Sequence, residues 1–187
     1  MITIGIDPSI NCTGVCVYDT EKHTHKYYMI VGSCTKKMKS FKNDYINILN
    51  YEKETPVGDY SEKEYIKTKN FQRIGIFIND IIKLHNPDVI QMEGISYGSR
   101  GSSALADLAG LNFFIRSIIV ENNIPFNIIA PTGVKKFAVG NGGVEKDVII
   151  ASWKKLDSNI SNITEIKLDD LADSYFIAHY KNQDDIN

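Results

Sequence analysis

The chain is short of the features that would stabilise a small secreted domain. Among 187 residues there are three cysteines, Cys12, Cys16 and Cys34. They form no CxxC pair and no metal-spaced set with histidine, which excludes a disulfide framework or a zinc ribbon and fits a reducing, cytoplasmic-type compartment. A basic n-region and long apolar h-region are absent at the start. No run reaches 18 apolar residues, so no membrane span is expected. Internal repeats and low-complexity tracts are missing. The segment Gly140-Asn141-Gly142-Gly143 lacks the Gly-Lys-Ser/Thr of a Walker A loop. With 43% apolar residues and 24% charged, what remains is an ordinary globular chain, read as one domain over residues 1–187.

Carboxylates stand out against this background. Asp7 ends the apolar run Ile2-Thr3-Ile4-Gly5-Ile6, and Glu93 ends Val89-Ile90-Gln91-Met92. Asp170 and Asp173 lie three apart in the apolar stretch Leu168-Asp169-Asp170-Leu171-Ala172-Asp173. A buried, unpaired carboxylate is costly, so an apolar strand ending on one needs a reason. Two carboxylates ~4 Å apart repel by roughly 4 kcal/mol at an effective dielectric near 20. A divalent cation relieves that repulsion, and Mg²⁺ suits an all-oxygen ligand set. Asp7, Glu93, Asp170 and Asp173 are therefore the candidate metal ligands, with Asp169 set aside as a helix cap.

The predicted elements bring these acids together. Residues 2–7, 13–19 and 26–32 read as three strands, 64–85 as a helix, 89–93 as a buried strand and 104–120 as an apolar helix. A short strand at 125–130 precedes helices at 132–137, 144–155 and 168–180. Three antiparallel strands followed by parallel ones give an α/β mixed sheet with helices on both faces. Asp7 and Glu93 then meet at a strand-end switch point, and Asp170 and Asp173 share one helix face. Gly14 is positioned to allow close backbone approach near Asp7. Residues 35–62, polar and lysine-rich, read as an insertion or mobile loop. His23, His25, His85 and His179 share no spacing, and Trp153 and Tyr175 read as packing residues.

Net charge is −2, from 23 acids, four of them the candidate ligands, against 21 bases. The bases cluster at Lys36–Lys42, at Lys63–Arg73, and at Lys135, Lys136 and Lys146. If the acids bind metal, these stretches are free to track a phosphate backbone.

Several blocks resemble the RuvC family of Holliday-junction resolvases, within the RNase H-like and retroviral-integrase superfamily. They are Ile4-Gly5-Ile6-Asp7-Pro8-Ser9 with Thr13-Gly14, Ile90-Gln91-Met92-Glu93, Val134-Lys135-Lys136-Phe137 with Val144-Glu145-Lys146, and Asp170-Leu171-Ala172-Asp173. The resemblance implies an RNase H-like sheet and a homodimer that nicks four-way DNA junctions in symmetric pairs. It makes Asp7, Glu93, Asp170 and Asp173 the catalytic acids on two Mg²⁺ ions, with Mn²⁺ able to substitute. It puts Lys146 at the scissile phosphate and Lys135, Lys136, Tyr97 and Arg100 on the DNA. Ser96 stands where the family carries an aromatic, with Tyr97 beside it. A viral or phage member, working in the host-cell cytoplasm, fits so compact a form. Two alternatives stay open: a broader nuclease of branched DNA, and a module that binds junctions without cutting.

Overall fold

A computed structural model describes residues 1–95 and 101–180. Strands β1 (Ile2–Asp7), β2 (Cys12–Asp19) and β3 (Thr24–Val31) form an antiparallel meander. Helix α1 (Lys36–Ser40) and strand β4 (Ile46–Asn50) follow. Then come α2 (Tyr60–His85), β5 (Val89–Glu93), α3 (Ser102–Glu121), β6 (Phe126–Ile129), α4 (Pro131–Val139), α5 (Lys146–Leu156) and α6 (Asp169–Ala178). The sheet order is β4-β3-β2-β1-β5-β6, with β4 parallel to β3, β5 parallel to β1 and β6 parallel to β5. This is the expected mixed sheet with one strand more than the sequence suggested. The stretch 35–62, expected as an insertion or mobile loop, holds α1, β4 and the first residues of α2. A capping box between Asp59 and Glu62 starts α2, and Asn86 in the left-handed region ends it ahead of Pro87.

Strand alternation sorts the side chains onto two faces. Ile4, Ile6, Val15, Val17, Ile30, Ile90 and Met92 pack on one side with Ile74, Ile78 and Ile82 of α2 and Leu111, Ile115 and Ile119 of α3. The opposite side carries Gly5, Asp7, Gly14, Cys16, Tyr27 and Met29, with Gln91 in register beside Gly5 and Glu93 two residues further along β5. Helices α4, α5 and α6 cover that side. Residues 103–121 of α3 are long and apolar enough by composition to cross a membrane, which counting uninterrupted apolar runs does not reveal. One stripe of the helix, Leu108, Leu111, Ile115 and Ile119, is in the core.

Two glycines let α6 lie directly on the sheet. A Cβ at position 5 would collide with the backbone of Ser174 and Ala178, and one at position 14 with the carbonyl of Asp170. Gly14 sits opposite Asp7 in the β1–β2 register. The close approach expected of Gly14 is thus made by the first turn of α6, which carries Asp170 next to Asp7.

Candidate active site

Asp7 and Glu93 end neighbouring parallel strands and project from the face that α6 covers. Asp170 and Asp173 reach them from the first turns of α6. Asp7 is 8% exposed. Burial pushes its carboxyl well above the usual range, and the charges of Glu93, Asp173 and Asp170 push the same way. Burial also raises Asp173, to about 6, with Lys146 and Lys135 opposing and Asp170 reinforcing. Asp170 is raised by burial and then by Asp169, and eased by a hydrogen bond with the Cys12 thiol. Asp7 is thus the electrostatic centre of the set, opposed by the charges of the other three acids.

Main-chain contacts hold the strand ends. Thr13 Oγ1 donates to the Ser9 carbonyl at 2.7 Å and accepts from the Ser9 N–H at 3.2 Å, closing the turn after Asp7. Gly94 N–H donates to the Ile129 carbonyl, 2.8 Å. The Asn112 side chain, 1% exposed, donates from Nδ2 to the Glu93 carbonyl at 3.0 Å, so α3 fixes the end of β5. Among the described residues its buried Oδ1 has no hydrogen-bond partner.

The stretch after β4 also reaches this end of the sheet. Tyr51 Oη donates to the Ile10 carbonyl at 2.6 Å, and Lys53 Nζ to Asn11 Oδ1 at 2.9 Å. The strap continues to α2, where the Asn70 side chain both donates to the Glu54 carbonyl and accepts from the Glu54 N–H.

The basic residues divide. Lys146 Nζ lies 2.8 Å from Asp169 Oδ2, with the lysine side chain 60% exposed. Burial lowers the Lys146 ammonium, but the Asp169 hydrogen bond and nearby acids raise it further. Asp169, expected as a cap, is the partner of the lysine assigned to the phosphate. Lys135 on α4 is close enough to lower Asp173, while Lys136 is exposed. Lys67 pairs with Glu64 and Asp107, and Lys69 and Arg73 both pair with Glu54. Most of the 63–73 stretch is therefore neutralised internally, which weakens the reading of it as a phosphate track. Tyr97 and Arg100 lie outside the described residues.

Four carboxylates on one face are the hard oxygen donors Mg²⁺ takes. As they stand, no three of the His, Cys, Asp and Glu side chains among the described residues are close enough to grip an ion together. The chemistry of the donor set fits a divalent cation, and gathering those donors is the work the cation's charge would do.

A second polar cluster lies under the other end of α6. Asp157 accepts from Tyr27 Oη at 2.6 Å and lies 3.3 Å from His25 Nδ1. Trp153 Nε1 donates to Tyr27 Oη at 3.1 Å, and His25 Nε2 is 2.9 Å from His179 Nε2. Tyr18 stacks on His25. Sequence spacing gave no hint of this cluster, because the two histidines are 154 positions apart.

Comparison with known proteins identifies one family and its fold. The model of the family "Crossover junction endodeoxyribonuclease RuvC" matches residues 60–179. No curated protein sequence matches the chain. Among solved structures, the fold is similar to Thermus thermophilus RuvC at 18% identity and a TM-score of 0.56, covering 95% of this chain and 91% of that one. T. thermophilus RuvC in complex with a Holliday junction substrate is similar at 13% identity and a TM-score of 0.61, covering 95% and 90%. The yeast mitochondrial Holliday junction resolvase Ydc2 is similar at 16% identity and a TM-score of 0.53, covering 94% and 75%. The family match spans well over half of the sequence and includes Glu93, Asp170 and Asp173, while Asp7 reaches the same cluster through the fold; the chain belongs to the RuvC family of crossover junction endodeoxyribonucleases.

Proposed function

We propose that the protein cuts four-way DNA junctions by metal-dependent phosphodiester hydrolysis, nicking two opposed strands symmetrically as a homodimer. The observation that carries this is the convergence of Asp7, Glu93, Asp170 and Asp173 at one strand-end cleft, where burial raises Asp7, Asp170 and Asp173 and the other three acids raise Asp7 further. Bound Mg²⁺, replaceable by Mn²⁺, would supply a hydroxide near neutral pH and offset charge on the reacting phosphate.

The chain's own groups divide the remaining work. Asp7, the most central acid, and Glu93 would hold the cation from the rigid strand ends. Asp170 and Asp173 would hold it from α6. Lys146 would swing from Asp169 to the phosphate, which its exposure permits, and steady charge building on the non-bridging oxygens. Lys135, already near Asp173, would approach the same phosphate, with Lys136, Tyr97 and Arg100 on the DNA. Exposed apolar side chains on α2 and α3, Ile76, Leu84, Phe113 and Val120, support a second copy as partner.

The test is cleavage with Mg²⁺ of a mobile four-way junction beside a linear duplex, a flap, a Y-fork and an RNA–DNA hybrid. Paired nicks at symmetric positions on the junction are expected. Cleavage confined to the hybrid would overturn the assignment, and equal cutting of flap and fork would broaden it to branched DNA in general.

A further inference from the structure

Two lysine-rich stretches look alike in the sequence but differ in the fold. Residues 63–73 are largely neutralised by Glu54, Glu64 and Asp107. Lys36, Lys37, Lys39 and Lys42, in and just after α1, are all exposed. Among the described residues none of them has a carboxylate within ion-pair distance. Met38 and Phe41 pack against the core beneath α6, so α1 is anchored and presents its charges outward. This helix precedes the part of the chain that the family model matches.

The outward face of α1 borders a groove. A cavity of about 700 Å³ is lined by Lys37 and Lys42 on one wall and by Asn159, Asn162 and Thr164 on the other. Ile163 and Thr164 also line a second cavity of about 440 Å³, which runs past Lys154 and Lys167 to Lys146 and Asp169. The two form one trough. It ends at Asp169, the residue before Asp170. Five lysines line it against three acids, Asp147, Glu165 and Asp169. Of those acids, Asp169 is engaged by Lys146, and Glu165 accepts the Thr164 N–H at 2.9 Å.

We propose that this trough seats the phosphate backbone of one duplex arm of the branched substrate, and that α1 is its far wall. A polyanion is the occupant that charge favours, because the amides and hydroxyl between the lysines donate to phosphate oxygens without choosing a base. The inference rests on the junction-cutting reading given above.

The experiment compares Lys37→Gln/Lys42→Gln with Lys67→Gln/Lys69→Gln. Junction affinity is measured from 50 to 300 mM salt in Ca²⁺, and cutting by wild type in Mg²⁺ in parallel. Each lost phosphate contact removes about 0.9 from the salt slope, so the first pair should flatten it by about 1.8 and weaken binding by up to about 60-fold at 0.1 M salt. The second pair should leave slope and affinity as in wild type. Unchanged binding by the first pair, or an equal loss from both, overturns the trough while leaving the cleavage reading intact. A wild-type protein that binds junctions but never cuts them sinks the cleavage reading and leaves the trough to be judged by its slopes.

Discussion

Helix α6 covers two buried polar clusters, one at each end, and they obey opposite electrostatics. At its N-terminal end, Asp7, Asp170 and Asp173 face other acids and their carboxyls are all raised. Toward its C-terminal end, Asp157 is also buried, at 4% exposure. Burial alone would raise it too, yet hydrogen bonds from His25, Tyr27 and Asn159 hold it below the usual carboxylate range. Both sets share one helix and one sheet face, so burial does not separate them. The neighbours do. Acids given donors stabilise a fold, whereas acids given other acids store a repulsion that a proton or a cation relieves.

The largest expected effect tests the strained end. Asp7→Asn should reduce junction cleavage by at least about 10³-fold, read as single-turnover nicking with saturating Mg²⁺. Junction affinity should stay within a few-fold of wild type, because the lysines are untouched. Cleavage at the wild-type rate would remove Asp7 from the chemistry. At the relaxed end, Asp157→Ala strips a partner from His25 and Tyr27, which should cost about 2–4 kcal/mol of stability. Calorimetry should show the drop, while the protein that remains folded cuts at the normal rate. A folded Asp157→Ala protein with normal melting but no cleavage would erase the distinction between the clusters.

A third prediction turns on sign. The Asp173 carboxyl is raised to about 6 from an ordinary 3.8. A raised acid penalises the folded state once ionised, so the penalty is absent below pH 3.8, grows between 3.8 and about 6, and is complete above that. Asp173→Asn should therefore stabilise the metal-free protein by about 2–3 kcal/mol at pH 7.5, a rise in Tm of roughly 4–12 °C for a chain of this size. Near pH 3.5 the two proteins should melt together. Adding Mg²⁺ at pH 7.5 should raise the Tm of wild type more than that of the variant. A variant less stable than wild type at pH 7.5 would show that Asp173 is relieved within the protein, as Asp157 is.

The strained end was the more legible in sequence, and the reason is local. Each acid interrupts an apolar run, so its placement against the pattern shows without knowledge of the fold. Strands β1 and β5 and helices α2 and α3 were equally plain, since each carries a long periodic apolar face. The relaxed end was hidden because its partners come from β2, β3, α5 and α6, and nothing near Asp157 marks it as buried. Strand β4 escaped for a related reason: as an edge strand it buries fully only Ile46, leaving a weak apolar pattern in a polar stretch. The pairing of Lys67, Lys69 and Arg73 does not show in their own stretch because Glu54 and Asp107 lie outside it. In each case the missing information was a pairing between distant segments.

The smallest effect separates a third kind of contact from both clusters. Tyr51, 4% exposed, donates to the Ile10 carbonyl in the turn that follows Asp7. Burial pushes its phenol up to about 12, against a smaller opposing pull from Arg73, so it remains a protonated donor through the neutral range. The contact is neutral, so its loss should not disturb the charge balance of the acids. Tyr51→Phe leaves one carbonyl short of a donor and keeps the ring, a cost of about 1 kcal/mol. If the strap also holds the turn in register, cleavage should fall several-fold and the Mg²⁺ concentration for half-maximal rate should rise, with junction affinity unchanged. A merely destabilised protein would lose rate in proportion to its unfolded fraction and keep the same Mg²⁺ midpoint. An unmoved midpoint would confine the strap to stability and leave the placing of Asp7 to β1, Gly14 and α6.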